Sequence, residues 1–413
     1  MQGKDINKST FFQLFKPIIN ENFLSFLSDM EADKYFKKFN TLEFIELLAN
    51  SQINQRASLR DISNDFNNDE FCEAFDCESF SPSQISRRLR DLPVEVVAYL
   101  FKNITTQLGK ELGHDRIRQE MGRLLILDSS TISLCLSLFR WAKFRETKAG
   151  IKLHLLLEFC NGVVIPEEAI VTPAKPADKN MMDDMIIYEQ GTIYVFDRAY
   201  VDYEKFDAYC KEGIYFVSRL KSNAIVEVIE DYPTSGNITK HQLVRLGKDG
   251  STKMEHPLQL IETQDSKGNK IIIITNKLEL SVDELSSIYL YRWQIEVFFK
   301  WLKQQFCIKH FYGQSPQAVE NQILIALITH CLLMLLKLKT GYQGLMLNFK
   351  RMLITCLLEA FSTFIRKLHR KPKRTSKGRR KIDHELTYKM TLRQVIAGES
   401  DHLDDLTYDP VLL

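Results

Sequence analysis

Apolar residues recur at three- and four-residue intervals through the first quarter of the chain, as in Phe23, Phe26 and Leu27 or Leu42, Phe44, Ile45 and Leu48. No clean alternation interrupts them, so residues 10 to about 110 are predicted to be helical. One late helix has a well-marked start, with Ser81 as N-cap, Pro82 at the first helical position and Gln84 completing a capping box. It carries Arg87, Arg88 and Arg90, which suit either a solvated face of a small bundle or a DNA-contacting helix. Asp61 to Glu78, with seven acids and no base, is expected to be solvated surface.

At Arg123 the pattern changes. Leu124 to Leu127 is an apolar run ending in Asp128, and Ile151, Leu153, Leu155, Leu157 and Phe159 alternate with Lys152, His154 and Glu158 as in a half-buried strand. Val163 to Thr172 is a third extended run, and Pro173 and Pro176 precede a short helix around Asp178 to Ile186. Ile193 to Phe196 is a short strand stopping at Asp197, Tyr203 to Lys211 is helical, and Ile214 to Ser218 is strand again. This order predicts an α/β layer architecture, a mixed sheet with flanking helices.

Residues 224 to 279 break the alternation with short strands at Ile225 to Ile229, Leu243 to Leu246, Leu258 to Glu262 and Ile271 to Thr275, separated by turn signals, and are expected to form an all-β insertion. Ser281 with Glu284 then opens a long helix to about Phe306, Ser315 with Pro316 opens another to about Lys339, and a third spans Leu345 to Leu368. The expected organisation is a helical region over 1–115, a core split between 116–222 and 281–340, the insertion at 223–280, and a helical and basic region over 341–413.

Composition adds little until charge is located. The 55 Lys and Arg against 53 Asp and Glu give +2, yet Arg366 to Lys381 holds 10 bases and no acid, so the remainder stands at 45 minus 53, or −8. A concentrated basic run suits backbone phosphates, or a solvated linker. The eight cysteines show no C-x-x-C spacing and read as reduced, buried thiols of a cytoplasmic protein. Met1 to Lys8 lacks the apolar core of a signal peptide, and the most apolar window, Ile323 to Leu336, is shorter than a membrane helix requires, so no membrane association is expected.

Asp128 and Asp197 each close an apolar strand, which would present both carboxylates at one sheet edge, oxygen ligands suited to hard cations. In the helix after Ser281, Tyr289, Arg292, Glu296 and Lys303 stand at offsets of 3, 7 and 14 residues. At helical pitch they fall within roughly a 60° arc, on apolar ground formed by Trp293, Ile295, Val297, Phe298, Phe299 and Leu302. Such a stripe is either a solvated edge or a site.

The run of Tyr289, Arg292, Glu296 and Lys303 resembles in full the Y-R-E-K signature of DDE transposases of insertion-sequence family 4. Leu127-Asp128-Ser129-Ser130-Thr131 and Phe196-Asp197-Arg198-Ala199-Tyr200 resemble that family's two aspartate motifs, with Ala199 where many relatives have Gly. The family's β-rich insertion accounts for the 99 residues between Asp197 and Glu296 (296 minus 197). The likeness covers about residues 120 to 340. Ala32-Asp33-Lys34-Tyr35 to Ser58-Leu59-Arg60-Asp61 is similar to the helical region preceding the core in one branch. Relatives that cut through a hairpin stack a flipped base on an insertion tryptophan, whereas residues 224–279 hold no Trp or Phe, only Tyr232.

The resemblance implies a ribonuclease-H-like core in which Asp128, Asp197 and Glu296 hold two divalent cations, Mg²⁺ or Mn²⁺, about 3.5 to 4 Å apart, for phosphodiester cleavage and strand transfer. It implies double-stranded DNA as partner, both the terminal inverted repeats of an insertion sequence and a target, with a homodimer in the synaptic complex and no small-molecule cofactor. Tyr289, Arg292 and Lys303 become DNA-contact candidates, joined by Arg219 and Lys221 beside a core strand and by Arg87 and Arg88. The tail helix, through Met352, Leu353, Cys356 and Leu357, is a candidate dimer surface. Such a protein would be cytoplasmic and nucleoid-associated when bound to DNA. Two other expectations stand beside this one: an inactive transposase-derived DNA-binding protein, and another ribonuclease-H-like metal nuclease.

Overall fold

A computed structural model describes residues 9–34, 38–113, 122–160, 163–234, 236, 238–248, 253–264 and 270–370, with a few positions beyond. Most of the basic run, from residue 371, lies outside the described residues.

The N-terminal region is helical as expected: α1 (Thr10–Phe15), α2 (Glu21–Asp29), α3 (Thr41–Ile53), α4 (Leu59–Asn64), α5 (Asp69–Phe75), α6 (Pro82–Asp91) and α7 (Val94–Glu111). Side chains fix where these helices begin. Ser9, Asn20, Asn40, Ser58, Asn68 and Ser81 each accept a hydrogen bond from a first-turn amide of α1 to α6 in turn. The Ser81–Gln84 capping box is present. Helix α6 is amphipathic, and it places Arg88 inward, 2% exposed, donating to the Ala32 carbonyl (3.3 Å), Asp33 Oδ1 (2.9 Å) and Thr41 Oγ1 (2.6 Å). Arg88 is therefore a strut of the bundle and is closed to DNA. Arg87 faces outward.

The sheet is built from β1 (Leu124–Leu134), β2 (Lys143–Arg145), β3 (Lys148–Cys160), β4 (Val163–Pro173), β5 (Ile193–Phe196) and β6 (Tyr215–Leu220), with α8 (Met182–Met185) and α9 (Tyr203–Glu212) between the later strands. Strands β3 and β4 pair antiparallel outward from β1, whereas β5 and β6 run parallel to it. This mixed order, β4-β3-β1-β5-β6, is the ribonuclease-H-like core. The segment anticipated as an interrupting insertion forms β7 (Val226–Asp231), β8 (Ile238–Leu246), β9 (Leu258–Gln264) and β10 (Lys270–Thr275). It continues the same sheet, because β10 pairs antiparallel with β6, and all ten strands form one surface.

Then follow α10 (Val282–Tyr291), α11 (Trp293–Gln305), α12 (Pro316–Thr340), α13 (Met346–Cys356) and α14 (Phe361–Leu368). The single helix expected after Ser281 is two. Around Arg292 the backbone bonds tighten to a three-residue spacing, Arg292 N to Tyr289 O (3.1 Å) and Ile295 N to Arg292 O (3.2 Å), which breaks the α-helical ladder there. The expected Leu345–Leu368 helix is likewise split. Leu353, Cys356 and Leu357 of its first half lie in the core, which removes them as a dimer surface. Of the seven cysteines whose side chains are described, all free, only Cys331 and Cys356 are fully buried.

Helix α12 is long and apolar enough to cross a membrane by length and composition, yet 78% of its most apolar window is buried within the protein, where it packs on α7 and α3. Around it one apolar cluster runs from Phe11 and Leu100 through Leu327 and Ile328 to Phe349 and Phe364, and reaches the sheet at Ile126 and Val195. A second cluster, with Leu125, Leu127, Phe196 and Phe206, covers the opposite sheet face.

Candidate active site

Strand parity decides which side chains meet. Along β1, Ile126 faces the helical core while Leu125 and Leu127 face the other, so Asp128 and Ser130 project toward α11 and Ser129 projects away. On β5, Ile193 and Val195 share the face of Ile126, which puts Asp197 on that face too. The parallel ladder pairs Leu127 with Phe196 and stops there, so Asp128 and Asp197 stand side by side just beyond it. Asp128 is not at a strand end as the apolar run suggested, because β1 continues to Leu134 on its pairing with β3.

Helix α11 brings the third carboxylate. Arg292 Nη1 donates to Glu296 Oε1 at 2.8 Å and to Asp128 Oδ2 at 3.3 Å, so one buried guanidinium bridges the strand and the helix. Arg292 also lies over the Trp293 ring at 4.3 Å. Asp128 Oδ1 accepts from the Ser129 amide at 2.7 Å. Lys303, near the far end of α11, donates to Ser130 Oγ (2.6 Å) and to the Thr131 carbonyl (3.1 Å), pinning the helix to β1.

The charges are unevenly satisfied. Burial, with Glu296 and Asp197 adding, pushes the Asp128 carboxyl up to about 7 against the pull of Arg292 and the Ser129 amide. Burial, with Asp197 adding, also raises Glu296 against Arg292. For Arg292, burial opposes the charge, but Tyr289, Glu296, Asp128 and Asp197 outweigh it and hold the guanidinium above its usual range. Burial, with Lys309 adding, lowers Lys303.

The three carboxylates thus act on one another electrostatically, and two share a single cationic nitrogen. Among the described residues no three Asp, Glu, His or Cys side chains already converge as a finished metal cluster. The donor set is nevertheless all carboxylate oxygen, the type hard divalent cations take, and Arg292 Nη1 is a stand-in cation between two of them. These residues fit such an ion.

Of the remaining candidates, Tyr289 is 4% exposed, with its phenol raised by burial, so it offers no open stacking surface. Arg219 lies within β6, near enough for its charge to act on Tyr289, and Lys221 is exposed just past the strand. Three neighbours of these carboxylates escaped the sequence pattern. A cavity of about 540 Å³ beside Asp128 and Glu296 is lined by Lys303 and also by Lys300 and Lys309. Lys300 was detectable, being four residues after Glu296 on the same helical face; Lys309 lies past the helix and carried no signal. Asp178, at the start of the short helical segment before β5, accepts from Ser129 Oγ (2.7 Å) and Lys152 Nζ (2.9 Å), which ties it to the residue following Asp128.

Residues 119–332 match the family described as Transposase DDE domain, and residues 6–70 match a domain of unknown function, DUF4372. A Sinorhizobium fredii protein named as a transposase, y4zB, is 28% identical over 295 residues, covering 68% of this chain and 81% of its own length. A Geobacillus stearothermophilus protein named as a transposase for insertion sequence element IS5377 is 25% identical, covering 62% and 67%. A Synechocystis protein named as a transposase for element IS4SA is 24% identical, covering 82% and 94%. Among solved structures, the piggyBac transposase synaptic complex with hairpin DNA aligns over 96% of this chain and 87% of its own at 12% identity and TM-score 0.45.

Proposed function

The chain belongs to the DDE transposase family, whose activity is DNA transposition by metal-dependent cleavage and strand transfer, and on that premise we propose that Asp128, Asp197 and Glu296 are its metal-holding catalytic residues. The observation that carries this is the bridge from one Arg292 nitrogen to Asp128 and Glu296, with Asp197 beside them at the carboxyl edge of the parallel strands.

Two divalent cations, Mg²⁺ or Mn²⁺, held by these carboxylates would supply Lewis-acid stabilisation of the attacking and departing oxygens of a phosphodiester. The protein's own groups do the rest. Arg292 offsets part of the negative charge of Asp128 and Glu296, and its planar fork suits a backbone phosphate. Lys300, Lys303 and Lys309 line the cavity where a backbone phosphate would lie. Lys303 also fixes the depth of α11 against β1.

The substrate is double-stranded DNA, with the terminal inverted repeats of an insertion sequence as donor ends. Base reading falls to the helical region over 1–115, in which Arg87 remains an outward-facing candidate, and Arg219 and Lys221 serve phosphates nearer the site. The extended sheet over 223–280 and the core segments 116–222 and 281–340 form the catalytic part, and the basic region in 341–413 adds affinity without sequence preference. Two ends joined in concert require a homodimer in the synaptic complex. The protein works in the cytoplasm on nucleoid DNA.

The test is an assay with purified protein, a duplex carrying the ends that flank the reading frame, a supercoiled plasmid and Mg²⁺. Cut ends joined covalently to the plasmid are expected. Cutting without joined product would indicate a plain nuclease, and binding without cutting an inactive derivative.

A further inference from the structure

The last carbonyls of a helix have no partner within it, and that of Gln304 in α11 is held from outside by the N-terminal region. Gln55 Nε2 donates to the Gln304 carbonyl at 2.6 Å. Just beyond, the Cys307 amide donates to Gln52 Oε1 (2.7 Å), Cys307 Sγ donates to the Arg56 carbonyl (3.2 Å), and Tyr312 Oη donates to the same carbonyl (2.6 Å). Four hydrogen bonds therefore join the turn at residues 52–56 to residues 304–312, directly below the helix that carries Glu296 and Lys303. From α13, Lys350 Nζ donates to the Gln305 carbonyl.

A second observation concerns the turn itself. Helix α3 ends in a Schellman motif, with Arg56 N donating to Ser51 O (3.0 Å) and Gln55 N to Gln52 O (3.2 Å). Gln55 occupies its left-handed position at φ 52°, where glycine is the residue without steric cost. A long amide side chain in that place is unfavourable for the turn alone. It is the side chain that reaches the Gln304 carbonyl.

We infer that Gln55 and Gln52 are positioning residues for the catalytic helix: the turn ending α3 sets the axial position of α11, and with it the placement of Glu296 over Asp128. This rests on the assignment of Glu296 to the metal site. The chain of contacts begins at the backbone, where Gln55 holds the end of α11, and ends at the reacting centre, where a displacement of an ångström is enough to slow chemistry by roughly a hundredfold.

The experiment compares wild-type protein with Gln55→Gly and Gln52→Met at full length, using the duplex end described above. Gln55→Gly removes the grip while relieving the backbone, so its melting temperature should hold or rise. Amide hydrogen exchange across residues 303–309 should quicken while that of α3 does not, the affinity for the duplex should stay unchanged, and single-turnover cleavage at saturating protein should fall roughly tenfold. Gln52→Met should give the larger loss of rate. Unchanged exchange across 303–309 overturns the inference, and so does quickened exchange with full cleavage rate. Glu296→Ala measured alongside keeps the two ideas apart: cutting retained in that variant refutes the assignment of Glu296, whereas the clamp is judged by exchange in Gln55→Gly.

Discussion

Strand β1 meets a group of one arginine and three carboxylates at two places along its length, and only one of them is a site. At its amino end Arg123, 6% exposed, contacts Glu189 (2.9 Å), Glu167 (3.0 Å) and Glu158 (3.5 Å), and Lys102 adds a second cation on Glu167 (2.8 Å). Glu167 reaches that position because the β3–β4 register shifts at Leu156 and Leu157, where it is the extra residue of a bulge. About 16 Å along the strand, Arg292 contacts two of its three carboxylates, and the Asp128 carboxyl is pushed up to about 7. In the first group every carboxylate has a protein cation against it. The second is short of positive charge and opens on a cavity lined by lysines. That shortfall is what a divalent cation would meet.

The largest separation between the two groups should appear in activity. Asp128→Ala, Asp197→Ala and Glu296→Ala should each bring cleavage to background, a loss of roughly a thousandfold or more, with DNA affinity retained in a gel-shift assay and melting temperature unchanged or raised, since each relieves crowding of like charge. Retained Mg²⁺-dependent cutting would remove that residue from the site. Arg123→Ala should do the reverse. Removing the one guanidinium that contacts Glu158, Glu167 and Glu189 should cost about 3–5 kcal/mol in urea denaturation, with the cleavage rate of the folded fraction near normal.

A half-buried acid outside both groups sharpens the contrast. Burial, with Glu43 adding, pushes Glu46 up to about 8, so a raised carboxyl alone does not mark a site. The folded chain keeps that proton while the unfolded chain loses it near pH 4.5, so its contribution to stability falls as pH rises between those values. Glu46→Gln should stabilise the protein, with a gain growing by at most about 1.4 kcal/mol per pH unit from pH 5 to 7.5. A gain independent of pH would show that Glu46 is ionised in the fold.

The smallest effect expected is at Asp178, which touches the site only through Ser129. Asp178→Asn should slow cleavage roughly tenfold at unchanged DNA affinity, and a full rate would confine Asp178 to supporting Lys152.

How far the sequence foretold all this depends on range. Caps at Ser81, Ser281 and Ser315 and the offset from Glu296 to Lys303 are local signals, and the structure has each of them; Tyr289 stands across the break at Arg292, and β3, expected to be half-buried, buries His154 and Glu158 as well. Parity along β1 and β5 follows from the same local rule and places Asp128 and Asp197 on one face. What was hidden is pairing between distant segments. Arg88 looked like Arg87 until Asp33 and Thr41 enclosed it, the tail helix looked available until α12 covered it, and the all-β insertion gave no sign of extending the core sheet until β10 paired with β6. The Arg123 group and the Asp178–Ser129 contact are likewise invisible in spacing, because their partners lie 35 to 66 residues apart.

The central claim, that the charge-deficient group on β1 is the divalent-cation site, is tested most directly by Mn²⁺ electron paramagnetic resonance on the protein bound to its duplex end. Wild type and Arg123→Gln should show bound Mn²⁺, and Asp128→Asn and Glu296→Gln should lose it at the same metal concentration. Equal Mn²⁺ binding by wild type, Asp128→Asn and Glu296→Gln would contradict the claim.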